Sequence, residues 1–286
     1  MNTDLSSIRP LSMLLVEPVV RRALEEDLGR AGDLTSDLII PEDQSDNARL
    51  VAREGGTIAG LPCVECALRL IDGSVHVSAL SRDGNYAAPG ECIASVSGHT
   101  RAILGAERVA LNFLGHLSGI ATSTRRLVDA VAGTRTRIVC TRKTTPGLRI
   151  LEKYAVRCGG GFNHRFGLDD AVLIKDNHIA AAGGIKPAVE RVRRGLGHMV
   201  EIEVEVDTLA QLEEALSLNV RTILLDNMAP AELSLAVQLA AGRAVLEASG
   251  GITVESVRAI AETGVDYISS GAITHSARNL DVALDF

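Results

Sequence analysis

From Arg137 onward the chain alternates short aliphatic, β-branched runs with amphipathic stretches of helical length, and nothing else in it restricts the fold as strongly. Strands are expected at Arg137–Thr141, Ala171–Ile174, Val200–Val206, Thr222–Asp226, Ala244–Ala248 and Asp266–Ser269. Helices are expected at Leu148–Arg157, Lys186–Arg194, Leu209–Leu216, Ala231–Ala240 and Val254–Thr263. Single helices between successive strands force a parallel sheet, and glycines and charges at the strand ends favour a βα barrel over a doubly wound sheet. A full barrel needs eight strands. Six are legible, so the expected class is α/β with an incomplete parallel βα barrel.

Before about residue 105 the pattern changes. A helix at Glu17–Leu28, strands near Ala48–Arg53, Val75–Ala79 and Cys92–Val96, and a helix at Pro62–Ile71 read as an N-terminal α+β sandwich domain. The expected division is 1–105 for this domain and 106–276 for bridging helices (Ala102–Ala132) plus barrel. The tail 277–286 is placed on the first domain.

Composition excludes several classes. With 46% hydrophobic but only 2% aromatic residues, the core is built from Ala, Val, Leu and Ile. No apolar run is long enough for a membrane span, and Met1–Asp4 lacks the basic region of a signal peptide, so a cytoplasmic protein is expected. Five scattered cysteines (63, 66, 92, 140, 158) disfavour a disulfide framework, and Cys63-x-x-Cys66 lacks the second pair that a zinc site needs. A net charge of −7 without aromatic-basic interleaving argues against nucleic acid.

The chemistry concentrates between Arg135 and His178, where nine Lys/Arg face four Asp/Glu in an otherwise acidic chain. Such an island fits a small polyanion that must be attracted and held. Arg142 and Lys143 directly follow one strand and Lys175 the next, which puts them on the barrel's C-terminal rim, where barrel active sites form; His164 and Arg165 lie in the loop between. Arginine offers a planar fork to carboxylates, lysine a mobile point charge. Glu201, Glu203 and Glu205 recur at every second residue of one strand, so they share the face that points into the barrel. Charges there need partners: an ion pair with the basic block for Glu201, pairing or ligand equally for Glu203, and substrate for Glu205, nearest the strand's end. Asp226 closes the next strand at the same rim. Ser249-Gly250-Gly251 and Ser270-Gly271-Ala272 follow the last two strands, where glycine lets backbone N–H groups approach a phosphate. Arg108 reads as a solvent-exposed arginine, and histidines 76, 99, 116, 178, 198 and 275 as structural.

The motifs Thr141-Arg142-Lys143-Thr144-Thr145-Pro146-Gly147, Gly159-Gly160-Gly161-Phe162-Asn163-His164-Arg165 and Leu173-Ile174-Lys175-Asp176-Asn177-His178 resemble, in order and spacing, those of the quinolinate phosphoribosyltransferases. The resemblance extends to Gly32-Asp33-Leu34-Thr35-Ser36, His116-Leu117-Ser118-Gly119, Leu225-Asp226-Asn227-Met228, Glu247-Ala248-Ser249-Gly250-Gly251 and Ser270-Gly271-Ala272-Ile273. It implies the type II phosphoribosyltransferase fold and an enzyme that transfers phosphoribosyl from phosphoribosyl pyrophosphate to quinolinate. Pyrophosphate and carbon dioxide are released, and nicotinate mononucleotide is formed for NAD synthesis. It further implies that Glu205 and Asp226 face the ribose hydroxyls and a magnesium ion, with Lys143 and Lys175 on the pyrophosphate. Arg142, His164 and Arg165 then hold the acceptor's carboxylates, and Arg108 enters the neighbouring subunit's site, which makes a homodimer or higher oligomer with shared sites. Cys140 stands where the family pattern has an acidic residue, and none of the basic charge is lost. The alternatives are a same-fold phosphoribosyltransferase with another acidic acceptor, such as the molybdenum-transport-associated paralogue, and a non-catalytic anion binder. Retention of Glu205 and Asp226 beside the full basic set disfavours the latter.

Overall fold

The computed structural model describes residues 8–286, so the reading of Met1–Asp4 lies outside the described residues. Two compact units emerge. One comprises 126–143 and 161–272; the other comprises the described residues up to 125 together with 144–160 and 273–286. Among the described residues, no helix is long and apolar enough to cross a membrane.

The second unit is an antiparallel sheet with helices. In chain order it contains α1 (Met13–Leu28), α2 (Leu34–Ile39), β1 (Ser45–Ala52), β2 (Gly56–Thr57), α3 (Leu61–Ile71), β3 (His76–Ala79), β4 (Tyr86–Ala87), β5 (Cys92–His99) and most of α4 (Thr100–Ala130). Its main sheet runs β12-β1-β5-β3, where β12 (Val282–Asp285) comes from the far end of the chain and pairs Leu284 with Leu50. Alternation along β1 buries Ala48 and Leu50. Cys63 and Cys66 are buried on α3 as core residues, and burial pushes both thiols above their ordinary pKa. The Gly32–Ser36 motif has a structural purpose: Asp33 caps α2, its carboxylate accepting the N–H of Thr35 and of Ser36 at 3.1 Å each. The bridging segment is one 31-residue helix. The Leu280 N–H donates to the Gly115 carbonyl of α4 at 2.9 Å, and a side chain at Gly119 would strike the Arg278 carbonyl, so both glycines let the C-terminal segment cross α4 closely. Helix α5 (Arg149–Cys158) also belongs to this unit, although it lies between two strands of the other in sequence.

The first unit holds β6 (Arg137–Val139), β7 (Val172–Ile174), α6 (Asp176–Ala182), α7 (Ile185–Gly195), β8 (Ile202–Val206), α8 (Leu209–Ser217), β9 (Thr222–Asp226), α9 (Pro230–Ala240), β10 (Val245–Ser249), α10 (Val254–Glu262) and β11 (Tyr267–Ser269), and ends at Ala272, the first residue of α11 (Ala272–His275). The sheet order is β6-β11-β10-β9-β8-β7, every pairing parallel. Phe162 adds a parallel bridge outside β6, its N–H donating to the Ile138 carbonyl at 2.8 Å. Val206, Leu225, Ala248, Ile268 and Ile138 form one register row and are all buried. The residues of opposite parity, Glu203, Glu205, Asp226, Glu247 and Ser249 together with Leu173, Leu224 and Val139, face the concave side, which is therefore mixed, with carboxylates among aliphatic side chains.

All six expected strands form, and α6 is a helix the periodicity does not announce. Glu201 is a correction: β8 begins at Ile202, leaving Glu201 exposed, where its carboxylate accepts the Thr222 hydroxyl at 3.2 Å instead of pairing with the basic block.

Candidate active site

Parallel register brings the polar strand ends together. Asp226 on β9 pairs with Ser249 on β10, and beyond β11 the Ser270 N–H donates to the Val139 carbonyl of β6 at 3.0 Å. The Asn227 N–H crosses to the Ser249 carbonyl at 2.9 Å, and the Asn227 side-chain amide donates to Asp226 at 2.7 Å. Gly250 closes this corner at φ +99°, and any Cβ there would overlap the Asn227 side chain. Gly250→Ala should therefore cost about 1–3 kcal/mol of stability. A chemical-denaturation midpoint equal to the parent's would show that the corner is not sterically closed.

The cationic side of the rim comes from the loops after β6, Phe162 and β7. Arg142 is half-buried and Lys143 exposed, the Lys143 N–H donating to the Thr141 hydroxyl at 3.0 Å. Arg165 donates to the Ala171 carbonyl at 2.8 Å; burial, and next the positive charge of Arg142, push its pKa below arginine's ordinary value. Two partly buried guanidiniums thus share this part of the rim. Lys175 Nζ donates to Glu205 at 2.5 Å across the ends of β7 and β8, and the Lys175 N–H donates to His178 Nδ1 at 2.9 Å. His178 thus supports the backbone there, in keeping with its structural reading.

His164 turns inward. Its Nε2 lies 2.8 Å from Glu203 and 3.8 Å from Glu247. Phe162 is one edge of the sheet and β8 lies near the other, so this contact requires the sheet to curl back on itself. Glu203 answers the even choice left by the sequence: it pairs with an imidazole. Glu247 is a residue that sequence reasoning missed. Its signal is present, since it sits two residues before Ser249 and so shares the concave face, but as a lone glutamate in an aliphatic strand it carries no role beyond its place in the family motif.

Arg108 lies in the other unit, exposed on α4, where it lines a cavity of about 680 Å³ with Arg22, Asn112, His116 and Pro146 of that unit. Beside it His116 Nε2 meets the fully buried Glu152 at 2.9 Å, and the other Glu152 oxygen accepts the Thr145 N–H at 3.2 Å, which pins the Thr144–Gly147 turn.

Comparison with known proteins yields a consistent set of relatives. A family model described as the C-terminal domain of quinolinate phosphoribosyl transferase matches residues 120–285, and that for its N-terminal domain matches 33–118. The chain is 46% identical to a probable nicotinate-nucleotide pyrophosphorylase [carboxylating] of Bacillus subtilis, over 96% of this chain and 94% of that one. It is 45% identical to the nicotinate-nucleotide pyrophosphorylase [carboxylating] of Mycobacterium leprae, over 93% and 95%. Solved structures of nicotinate-nucleotide pyrophosphorylases are similar throughout. That from Ehrlichia chaffeensis has a TM-score of 0.91 at 43% identity, with 97% of this chain and 99% of that one covered. That from Francisella tularensis has a TM-score of 0.93 at 40% identity, with 97% and 98% covered.

Proposed function

The chain belongs to the quinolinate phosphoribosyltransferase family, and we propose that the rim residues described above carry the family's reaction. That reaction joins the phosphoribosyl group of phosphoribosyl pyrophosphate to the ring nitrogen of quinolinate and expels the adjacent carboxylate, giving nicotinate mononucleotide, pyrophosphate and carbon dioxide for NAD biosynthesis. The fold is the type II phosphoribosyltransferase fold.

The placement of Arg142 and Arg165, both partly buried, on rim loops either side of the Phe162 strand edge is the observation that supports the acceptor end. A dicarboxylate bound between them accepts hydrogen bonds from both forks, with His164 as a third donor. At the donor end, Ser249, Gly250 and Gly251 with Ser270, Gly271 and Ala272 offer backbone N–H groups to the 5-phosphate. Lys143 and Lys175 supply positive charge to the leaving pyrophosphate. Glu205 and Asp226 offset the cationic character that grows on the anomeric carbon and align the ribose hydroxyls.

The same two carboxylates fit a magnesium ion. They are hard oxygen donors on neighbouring strand ends, and Glu205 already takes up a cationic group, the Lys175 ammonium. When bound, the ion supplies positive charge to the pyrophosphate. Once the nitrogen is glycosylated, its positive charge stabilises the electron pair that stays on the adjacent ring carbon as carbon dioxide leaves, and that carbon then takes a proton from water, so the step needs orientation and no dedicated base.

Arg108 of each subunit reaches the carboxylate clamp of the other in a homodimer. Support comes from its exposure on α4 and from the apolar surface that Leu34 (62% exposed), Leu38 (85%) and Ile39 (70%) leave on α2. Free cysteines at all five positions accord with a reducing, cytoplasmic setting.

An acceptor comparison tests this division. Quinolinate should be used roughly 5- to 150-fold more efficiently than nicotinate, since losing one carboxylate removes acceptors from partly buried guanidinium donors at about 1–3 kcal/mol. Equal kcat/KM for the two acids would refute the clamp.

A further inference from the structure

A single buried carboxylate holds the turn that follows Lys143. The Leu148 N–H donates to the Thr145 carbonyl at 3.0 Å, with Pro146 and Gly147 between them and Gly147 at φ +81°. Proline and glycine thus stand in the two central places of a type II turn, which require a fixed negative φ and then a positive one. The turn leads directly into α5, where Arg149 and Glu152, three residues apart, share one face and both reach back. Arg149 Nε donates to the Thr144 hydroxyl at 2.9 Å, and one Glu152 oxygen accepts the Thr145 N–H at 3.2 Å. The other Glu152 oxygen faces His116 Nε2 of α4 at 2.9 Å.

Glu152 is fully buried, and an ionised carboxylate persists there only with its oxygens occupied. Burial works to raise its pKa, but the hydrogen bonds from His116 and Thr145 outweigh burial and hold it below the ordinary value. A carboxylate only accepts, so His116 presents Nε2–H to it. Packing alone would be met as well by an apolar residue of the same size. What the carboxylate adds is a fixed acceptor for one backbone N–H of the turn.

Thr144 is joined to Lys143, and consecutive Cα atoms stand about 3.8 Å apart. A turn fixed at Thr144 and Thr145 therefore fixes one end of the Lys143 backbone, while the Lys143 N–H, donating to the Thr141 hydroxyl, ties the other end to the segment after β6. Each of these bonds lies within one unit, and the chain itself carries the constraint to the rim. We propose that Glu152 and His116 are positioning residues for Lys143: Glu152 holds the turn through the Thr145 N–H, His116 holds Glu152, and the pair keeps the Lys143 ammonium where the leaving pyrophosphate needs it. The inference rests on the reading of Lys143 as a pyrophosphate contact. Arg142 is one residue farther from the turn and directly follows Thr141, so the acceptor's carboxylates should feel the loss much less.

The test is calorimetry of inorganic pyrophosphate and of quinolinate on the full-length protein, beside steady-state KM values. Glu152→Met fills the space but accepts no hydrogen bond. It should weaken pyrophosphate binding and raise the KM for phosphoribosyl pyrophosphate roughly fivefold or more, with quinolinate affinity within about twofold. Glu152→Gln should recover most of this, because its amide oxygen accepts the Thr145 N–H while its NH2 faces the other tautomer of His116. If Glu152→Met does not fold, His116→Leu is the reporter, with the same split at smaller size, and His116→Gln, whose amide donates to the carboxylate, is its rescue. A double-mutant cycle separates positioning from support of the fold: in a Lys143→Ala background, Glu152→Met should weaken pyrophosphate binding no further. An equal loss in both backgrounds, or equal losses for pyrophosphate and quinolinate, would reduce Glu152 to support of the fold and overturn the proposal. Parental pyrophosphate affinity in a folded Glu152→Met enzyme would overturn it too. Parental affinity in Lys143→Ala would instead refute the lysine's assigned contact, and this inference with it.

Discussion

Glu205→Ala and Asp226→Ala should each lower kcat by about two to three orders of magnitude while quinolinate affinity, measured by calorimetry, stays within about threefold. Both carboxylates lie at strand ends on the concave face, on the β8–β9 side of the rim, whereas the guanidiniums proposed to hold the acceptor come from the loops after β6 and Phe162. Their charge matters most when cationic character develops on the ribose, a transition-state effect that appears in kcat. Glu205→Ala carries a second consequence, since it frees the Lys175 ammonium from its partner. Binding of pyrophosphate alone should then strengthen slightly even as turnover collapses. If quinolinate affinity falls in parallel with kcat in either variant, the division into donor and acceptor sides is wrong.

Arg108→Ala and Lys143→Ala should each abolish most activity alone and restore it when mixed. If Arg108 serves the neighbouring subunit, a mixed dimer gathers both lesions into one site and leaves the other intact. Random reassortment makes about half of the dimers mixed, each with one good site of two, so roughly 25% of parent activity should return. The recovery requires exchange of subunits, which mass spectrometry of differently labelled chains can verify. No recovery after verified exchange would assign Arg108 to its own subunit or to the fold.

Much of this was legible in the residues. The βα periodicity marks every strand of the parallel sheet to within two residues, because the short apolar runs are rich in β-branched residues and regularly separated by stretches of helical length. The concave placement of Glu203 and Glu205 follows from alternation alone. Three things were harder to read. Helix α6 follows immediately on Lys175 and is only seven residues long, too short for a periodic signal. The partner of β1 is β12, more than 200 residues away, and local pattern carries no information about such pairing. Glu201 looked interior because it continues the alternation of Glu203 and Glu205, but the strand stops one residue short of it. The meeting of His164, Glu203 and Glu247 depends on the curl of the sheet, which brings its first edge against β8. Spacing fixes which face each glutamate takes, and only closure fixes what it meets there.

The most direct measurement is the stoichiometry of carbon dioxide to pyrophosphate in single turnovers with carboxyl-labelled quinolinate. If the rim aligns the ring nitrogen for transfer and the resulting pyridinium drives the second step, labelled carbon dioxide from the carboxylate beside the nitrogen should appear in equal amount with pyrophosphate. Nicotinate mononucleotide should be the nucleotide formed. Pyrophosphate released without carbon dioxide, or with a dicarboxylated nucleotide accumulating, would contradict the account.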